Sequence, residues 1–185
     1  MARDGGHTWI EAGLEELAAS GIGGVRVEVL AQNLGVTKGG FYRRFKDRRA
    51  LLDAMLNTWA RGRITVIERQ MALGEATPAE PIKSVIKLFA ERANAQGLAI
   101  ELAIRQWARM DKGAAEAVAS VDEARLKAVA PLYVAMGMSP EKAYARAVLF
   151  YAYIFGHGML TPEASVKKRK SVADAIADAL AHTAA

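Results

Sequence analysis

Hydrophobic positions along the chain recur every three or four residues, and segments in which apolar and polar residues alternate strictly are almost absent. This spacing is typical of amphipathic helices and not of strands. Glycines and capping residues interrupt it repeatedly, which divides the chain into about nine predicted helices. The pattern therefore predicts an all-α fold, with a three-helix module at the N-terminus and a bundle of about six helices after it.

Capping residues and breaks give the predicted bounds of these helices. A capping box of Thr8 and Glu11 is expected to open the first helix. Asp47 is expected to cap a long fourth helix, and Gly97 and Pro131 are expected to break or kink later ones. The predicted helices cover about residues 8–20, 27–34, 38–45, 48–73, 77–96, 98–107, 114–136, 140–158 and 162–182.

Residues 27–45 have the layout of a helix-turn-helix, in which Gly35-Val36-Thr37 joins two short helices. Ala31 is small where two helices must cross closely. Gly35 can adopt the left-handed conformation that ends a helix, and Thr37 is a good N-cap for the next one. The expected inward-facing anchors of the motif are Val36, Phe41 and Phe45.

Positive charge is concentrated in the same region. The formal net charge is +5, and residues 36–49 alone carry six cations and one acid, so the rest of the chain is close to neutral. Such a cluster is typical of a phosphate-binding surface, although a solvated helix face is the alternative. The cations are Lys38, Arg43, Arg44, Lys46, Arg48 and Arg49.

Two glycines interrupt the second helix of the motif. Gly39 and Gly40 each cost a helix about 1 kcal/mol relative to alanine. A close approach of the backbone to DNA would explain them. Packing against a neighbouring helix is the alternative explanation.

The run Leu34-Gly35-Val36-Thr37-Lys38-Gly39-Gly40-Phe41-Tyr42, with Leu30-Ala31 before it and Phe45 and Leu51 after it, resembles the TetR/AcrR family of bacterial repressors. The match covers about residues 8–55. The resemblance implies a helix-turn-helix DNA-binding domain at 1–50 and a helical ligand-binding and dimerisation domain at 51–185.

The resemblance also implies roles for individual residues. Thr37, Tyr42 and Arg48 match positions that usually contact phosphates, and Lys38, Gly39 and Arg43 are placed for base edges or the adjacent backbone. Two positions depart from the pattern. Arg26 replaces a capping Ser or Thr, and Gly40 replaces a Thr or Ser that could contact DNA. The predicted DNA-binding set is Arg26, Thr37, Lys38, Gly39, Gly40, Tyr42, Arg43, Lys46 and Arg48.

Members of this family bind effectors in a cavity of the C-terminal domain. Arg105 is a cation on a largely apolar helix and needs a partner, which Glu101 one turn earlier could supply. The sharper interpretation is that Arg105 pairs with an anionic ligand. Aromatic residues at helical spacing, however, are more often plain core. The predicted ligand-binding residues are Trp59, Phe89, Arg105, Trp107, Tyr133, Phe150, Tyr151 and Tyr153.

Members of the family also dimerise through their last two helices. The segment at about 140–158 is apolar most of the way round and must bury more than one face. A core on one side and a partner subunit on the other would satisfy it, whereas a central helix of a monomer is the alternative. The predicted interface residues are Ala143, Ala147, Tyr151 and Ile154.

Several classes of protein are disfavoured by what the sequence lacks. It has no cysteine, its three histidines are scattered, and no phosphate loop, nucleophile elbow or dinucleotide fingerprint occurs. We therefore expect no enzyme activity, metal or cofactor. No apolar run reaches the roughly 18 residues of a membrane span, and the first residues do not resemble a signal peptide, so a cytoplasmic location is expected.

These features predict a sequence-specific transcriptional repressor. It would bind a palindromic operator in double-stranded DNA as a homodimer, and a small-molecule effector would release it. The alternative is a helical dimeric interaction protein that has lost DNA binding. The intact basic face of Lys38, Tyr42, Arg43 and Arg48 favours the repressor.

Overall fold

Helices account for most of the chain in this computed structural model, which describes residues 5–72, 77–90, 95–159 and 166–182. No strand occurs in those ranges, and the predicted all-α fold is confirmed. The helices are α1 (Gly5–Ser20), α2 (Val27–Asn33), α3 (Lys38–Tyr42), α4 (Arg48–Ala72), α5 (Ala79–Ala90), α6 (Ala95–Ala108), α7 (Lys112–Ala135), α8 (Pro140–Met159) and α9 (Val166–Ala181).

Side-chain caps start three of these helices, and at the start of α8 the backbone N–H of Lys142 donates to Ser139 Oγ over 3.4 Å. The backbone N–H of Ala50 donates to Asp47 Oδ1 over 2.9 Å at the start of α4, as predicted. The N–H of Ala114 likewise donates to Asp111 Oδ1 over 2.9 Å at the start of α7. The capping box predicted at Thr8 is wrong, because α1 begins at Gly5 and Thr8 lies inside the helix.

Two predicted breaks do not occur. Gly97 lies in the first turn of α6, where a helix has few internal hydrogen bonds to lose, and it does not interrupt that helix. Pro131 does not split α7, which continues to Ala135. Pro131 is exposed, so water can satisfy the carbonyl group that its missing N–H leaves.

The chain divides into two units, and each has its own buried residues. The first comprises residues 1–63 and 96–121 and contains α1 to α3, most of α6 and the first parts of α4 and α7. The functional boundary predicted at residue 50 stays a prediction. The main buried side chains of this unit are Trp9, Leu17, Val25, Leu30, Phe41, Leu51, Met55, Trp59, Ile104 and Trp107.

The second unit comprises residues 64–95 and 122–185, and α5 packs on α9 within it. Arg146 of α8 donates to the carbonyl oxygen of Ala179 in α9 over 3.0 Å. Small side chains are buried on both of these helices, which favours close packing. The buried core of this unit is Ile82, Ile86, Val129, Tyr133, Ala143, Ala147, Phe150, Ile154, Ala173, Ala177 and Ala181.

This core corrects the predicted dimer interface. Ala143, Ala147 and Ile154 are 0%, 0% and 1% exposed within their own unit, so they cannot present a surface to a partner subunit. The prediction failed because small apolar side chains suit a tight core as well as an interface. Tyr151, the fourth predicted residue, is partly buried beside that core.

Candidate nucleic-acid interface

Helix α3 is anchored through one aromatic side chain. Phe41 is fully buried, and its ring meets Trp9 edge-on at a centroid distance of 5.3 Å and stacks on Phe45 at 5.4 Å. These ring contacts fix the position of α3 against α1. The third predicted anchor is wrong, because Val36 is 48% exposed and does not fill the core under the turn.

The turn between α2 and α3 has the predicted geometry. Gly35 adopts a φ of +65°, a conformation that L side chains rarely adopt. Its N–H donates to Gln32, and the N–H of Val36 donates to the carbonyl oxygen of Ala31 over 2.9 Å. Ala31 itself is buried, as expected for a close helix crossing.

Most of the predicted DNA-contacting residues lie on the exposed side of this motif. Thr37 occupies the N-cap position, but its hydroxyl makes no capping bond, and the Arg26 side chain does not cap α2 either. Tyr42 is 60% exposed, with its ring edge-on to Phe41. The residues classed as exposed are Arg26, Thr37, Lys38, Gly39, Tyr42, Arg43, Lys46 and Arg48, and Gly40 is partly exposed.

The glycines of α3 serve no packing purpose inside the protein. A Cβ built at Gly40 meets no atom within 4 Å, and one at Gly39 meets only Thr37 Oγ1 at 3.6 Å. Neither residue has a positive φ. Packing against a neighbouring helix therefore does not explain them, and an external molecule that approaches the backbone closely would.

Lys38 is held by an acid outside the predicted DNA-binding set. Its Nζ lies 2.7 Å from Glu28 Oε1, which places a carboxylate of α2 beside the start of α3. The hydrogen bond from Lys38 lowers the pKa of Glu28 below its usual value. Lys38 must exchange this carboxylate for another acceptor if it is to contact DNA.

Arg48 has a role that the sequence did not reveal. Its Nε donates to the carbonyl oxygen of Val25 over 2.5 Å, and its Nη2 donates to that of Ile22 over 2.6 Å. The guanidinium therefore fastens the segment between α1 and α2 to the start of α4. The phosphate contact predicted for Arg48 stays a prediction. It would be made by Nη1, the guanidinium nitrogen that takes no part in these two hydrogen bonds.

Arg49 connects two parts of the first unit. Its Nη1 lies 2.6 Å from Asp111 Oδ2, and its Nε lies 2.8 Å from Asp53 Oδ1. Asp111 also accepts the N–H of Ala114, and this bond, together with Arg49, holds the pKa of Asp111 below its usual range. The cap of α7 is thus tied to the beginning of α4.

The first unit also contains three residues of the predicted ligand site. Trp59 and Trp107 are about 5% exposed, and the indole Nε1 of Trp59 has no hydrogen-bond partner among the described residues. Arg105 Nε lies 3.0 Å from Glu101 Oε1, as predicted, and Glu101 also pairs with Arg63 at 3.3 Å. The Arg63 contact comes from α4 and was not foreseen.

Four further residues of the predicted ligand site belong to the second unit. Tyr133 and Phe150 lie in its core, and burial raises the pKa of Tyr133 to about 12. The Tyr133 hydroxyl has no hydrogen-bond partner within the described part of the chain. Tyr151 and Tyr153 are partly buried. The side chain of Phe89, the eighth predicted residue, lies outside the described residues.

Helix α8 leaves large apolar side chains uncovered on the side away from its buried residues. Tyr144, Val148 and Leu149 are 55%, 43% and 59% exposed. Val172 of α9 is 48% exposed in the same unit. Exposed apolar side chains that recur along one helix are typical of a surface that another protein covers.

An exposed short helix on a buried aromatic anchor, in a chain whose described elements are all helices, has the layout of a helix-turn-helix module. The model of the bacterial regulatory proteins of the tetR family matches residues 10–55. The N-terminal part of this chain is therefore similar to the helix-turn-helix domain of that family.

Solved structures extend the similarity over the whole fold. A TetR-family transcriptional regulator from Agrobacterium tumefaciens has a TM-score of 0.77 at 11% identity and covers 95% of this chain and 96% of its own. A transcriptional regulator from Rhodococcus sp. Rha1 has a TM-score of 0.74 at 16% identity, covering 95% and 93%. A tetR-family regulatory protein from Rhodococcus RHA1 has a TM-score of 0.73 at 15% identity, covering 97% and 96%.

Among curated proteins, no sequence matches the chain significantly. Along the described residues, no helix is long and apolar enough to cross a membrane.

Proposed function

We propose that the protein is a dimeric transcriptional repressor that reads double-stranded DNA with α3 and leaves its operator when a small molecule binds. One observation supports the proposal that α3 binds DNA: the backbone at Gly39 and Gly40 is open, and it lies beside the exposed side chains of Lys38, Tyr42 and Arg43. A helix that enters the major groove needs both a close backbone approach and donors for bases and phosphates.

The proposed contacts divide by type. Lys38 and Arg43 would reach base edges or the adjacent backbone, and Gly39 and Gly40 would allow the approach. Phosphates would be bound by Arg26, Thr37, Tyr42, Lys46 and the remaining nitrogen of Arg48. The cations in this set supply the charge that neutralises phosphates and releases counterions from DNA.

Dimerisation would use the uncovered apolar face of the second unit. Tyr144, Val148 and Leu149 of α8, with Val172 of α9, replace the alanines and Ile154 that the sequence had suggested. A two-fold dimer would place two recognition helices about 34–36 Å apart, one duplex turn, and would therefore bind a palindrome.

Effector binding would use a buried polar group that lacks a hydrogen-bond partner among the described residues. The indole Nε1 of Trp59 is such a group, and buried polar groups normally have a partner. The ion pairs of Glu101 with Arg63 and Arg105 add a charged, largely buried cluster near Trp59 on α4 and α6. We propose an apolar, anionic effector, and we propose a cytoplasmic regulator without enzymatic activity.

Selection from random duplex DNA tests this proposal. The expected result is enrichment of one palindromic sequence, whose binding weakens steeply with salt. The control is Lys127→Ala, which removes a cation of α7 that pairs with Glu123 in the second unit. A protein that enriches no sequence and binds DNA with no salt dependence would instead be the helical interaction protein that the sequence left as the alternative.

A further inference from the structure

A cavity of about 290 Å³ lies beside the helix-turn-helix, within the first unit. It is partly open to solvent, and three segments line it, namely the loop after α1, the start of α4 and the end of α6 with the turn that follows it. Its apolar wall consists of Ile22, Leu52, Trp107 and Met110. Met110 is 75% exposed, although it is one of the larger apolar side chains of the unit.

The polar wall of the cavity contains one guanidinium, that of Arg48, without a direct carboxylate partner among the described residues. Arg49 pairs with both Asp111 and Asp53, at 2.6 and 2.8 Å. Arg48 instead donates to two carbonyl oxygens, and no carboxylate of the described residues lies within ion-pair distance of it. A carbonyl oxygen accepts a hydrogen bond but supplies no negative charge, so the charge of Arg48 still favours an anion.

We propose that this cavity binds a small carboxylate with an aromatic or branched aliphatic body, and that the carboxylate pairs with Arg48. The apolar wall would take the body of the ligand. The cavity is at the small end of the range for ligand pockets, roughly 300–1,000 Å³, which fits a single-ring molecule. Of the ligand-binding residues predicted from the sequence, only Trp107 lines it.

Binding here would affect DNA directly, and this step rests on the proposed DNA-binding function. The carboxylate and a DNA phosphate would be alternative partners for the same guanidinium. A ligand that competes in this way lowers DNA affinity, and DNA lowers ligand affinity by the same factor.

Fluorine NMR of protein labelled with 5-fluorotryptophan tests the site without DNA. The chain has three tryptophans, and Trp107→Phe assigns the resonance at the cavity, leaving Trp9 and Trp59 as internal controls. Benzoate is expected to shift the Trp107 resonance. Its neutral isostere benzamide is expected to bind about tenfold more weakly, because it lacks the charge-assisted hydrogen bonds.

Three variants distinguish the contribution of the Arg48 charge to ligand binding from the contribution of the space in the cavity. Arg48→Met should reduce benzoate affinity to that of benzamide, and Arg48→Lys should restore much of the preference. Ile22→Phe should fill the cavity and prevent both molecules from binding, with unchanged Trp9 and Trp59 resonances as proof of folding. Equal affinity of benzoate and benzamide, or a shift at Trp59 or Trp9 in place of Trp107, would overturn the proposal.

A DNA titration then tests the competition. Saturating benzoate is expected to weaken binding to the selected palindrome in the wild type and not in Ile22→Phe. Unchanged DNA affinity with benzoate bound overturns the competition. If no DNA binds in the absence of benzoate, the proposed DNA-binding function fails, and the NMR result still decides whether the site exists.

Discussion

Helices α3 and α8 leave different kinds of residue uncovered. Around the buried ring of Phe41, α3 and the residues directly after it expose cations and a glycine. On α8 the alanines at 143 and 147 are fully buried, whereas larger apolar side chains such as Tyr144 and Leu149 are exposed. One helix thus offers charge and open backbone, and the other offers apolar surface.

The difference between the two helices shows when residue polarity alone predicts which face of a helix is exposed. On α3, a cation cannot be buried without a partner, so the exposed face follows from residue type. On α8, almost every side chain is apolar, so the hydrophobic pattern does not distinguish the buried face of the helix from its exposed face. Packing decides the outcome there, because the buried face of α8 brings the small Ala143 and Ala147 and the large Phe150 and Ile154 into one core with α9.

The largest expected effect comes from the buried face of α8. Ile154→Ala should lower the free energy of unfolding by about 2–5 kcal/mol, since the side chain is fully buried and the truncation leaves a cavity. Urea unfolding measures this. A loss below about 0.5 kcal/mol would mean that Ile154 does not lie in the core.

The exposed face of α8 should behave in the opposite way. Leu149→Glu should leave the fold intact, because a surface substitution outside an interface changes stability by about 0.5 kcal/mol or less. It should nevertheless convert the dimer to monomer, since it places a charge in an apolar interface. Analytical ultracentrifugation at micromolar concentration checks this, and a Leu149→Glu protein that remains dimeric would place the interface elsewhere.

Directly after α3, Arg43→Ala should relax the preference for one base pair. A good side-chain contact to a base edge contributes about 1–3 kcal/mol of discrimination. Lys46→Ala should instead weaken all sequences alike and reduce the slope of log affinity against log salt by about one unit. Binding selections with each variant distinguish these outcomes, and an unchanged site preference in Arg43→Ala would remove Arg43 from base reading.

Glu28→Gln should strengthen DNA binding. The substitution frees Lys38 from its carboxylate partner and removes a negative charge beside the proposed phosphate contacts. An exposed ion pair is weak, so the expected gain is only a few-fold. Fluorescence anisotropy measures it, with Glu116→Gln on α7 as the control, and weaker binding by Glu28→Gln would show that Glu28 positions Lys38 for DNA.

Asp111 should give the smallest effect, a contribution to acid sensitivity. Its folded pKa lies below the usual value of 3.8 because Ala114 N–H and Arg49 stabilise the carboxylate. The unfolded chain therefore takes up this proton more readily, so the stabilisation is complete above about pH 5 and decreases as the pH falls through 3.8. Asp111→Asn should flatten the dependence of stability on pH between about 5 and 3, and an unchanged curve would contradict this.

Local signals in the sequence predicted the fold and the exposed motif. The turn at Gly35 and the cap at Asp47 depend on residues close in sequence, and both occur where predicted. The ion pair of Lys38 with Glu28, the carbonyl contacts of Arg48 and the true inner face of α8 depend on packing between distant segments. The hydrophobic periodicity of one sequence does not predict contacts between distant segments.

Replacing the two glycines of α3 by alanine tests the central claim most directly. A methyl group at Gly39 or Gly40 fits without a clash inside the protein, so each change should raise stability by up to about 1 kcal/mol. Against DNA, the same methyl groups should overpack a close contact at about 1–3 kcal/mol, roughly a 5- to 150-fold loss of affinity.

Gly62→Ala is the matched control, because a Cβ there also meets no atom within 4 Å and the residue lies in α4. The measurement pairs urea unfolding with titration of the selected palindrome for Gly39→Ala, Gly40→Ala and Gly62→Ala. The α3 variants are expected to gain stability and lose DNA affinity, whereas Gly62→Ala is expected to gain stability and bind DNA like the wild type. Unchanged DNA affinity in both α3 variants would contradict the claim that α3 reads DNA through a close backbone approach.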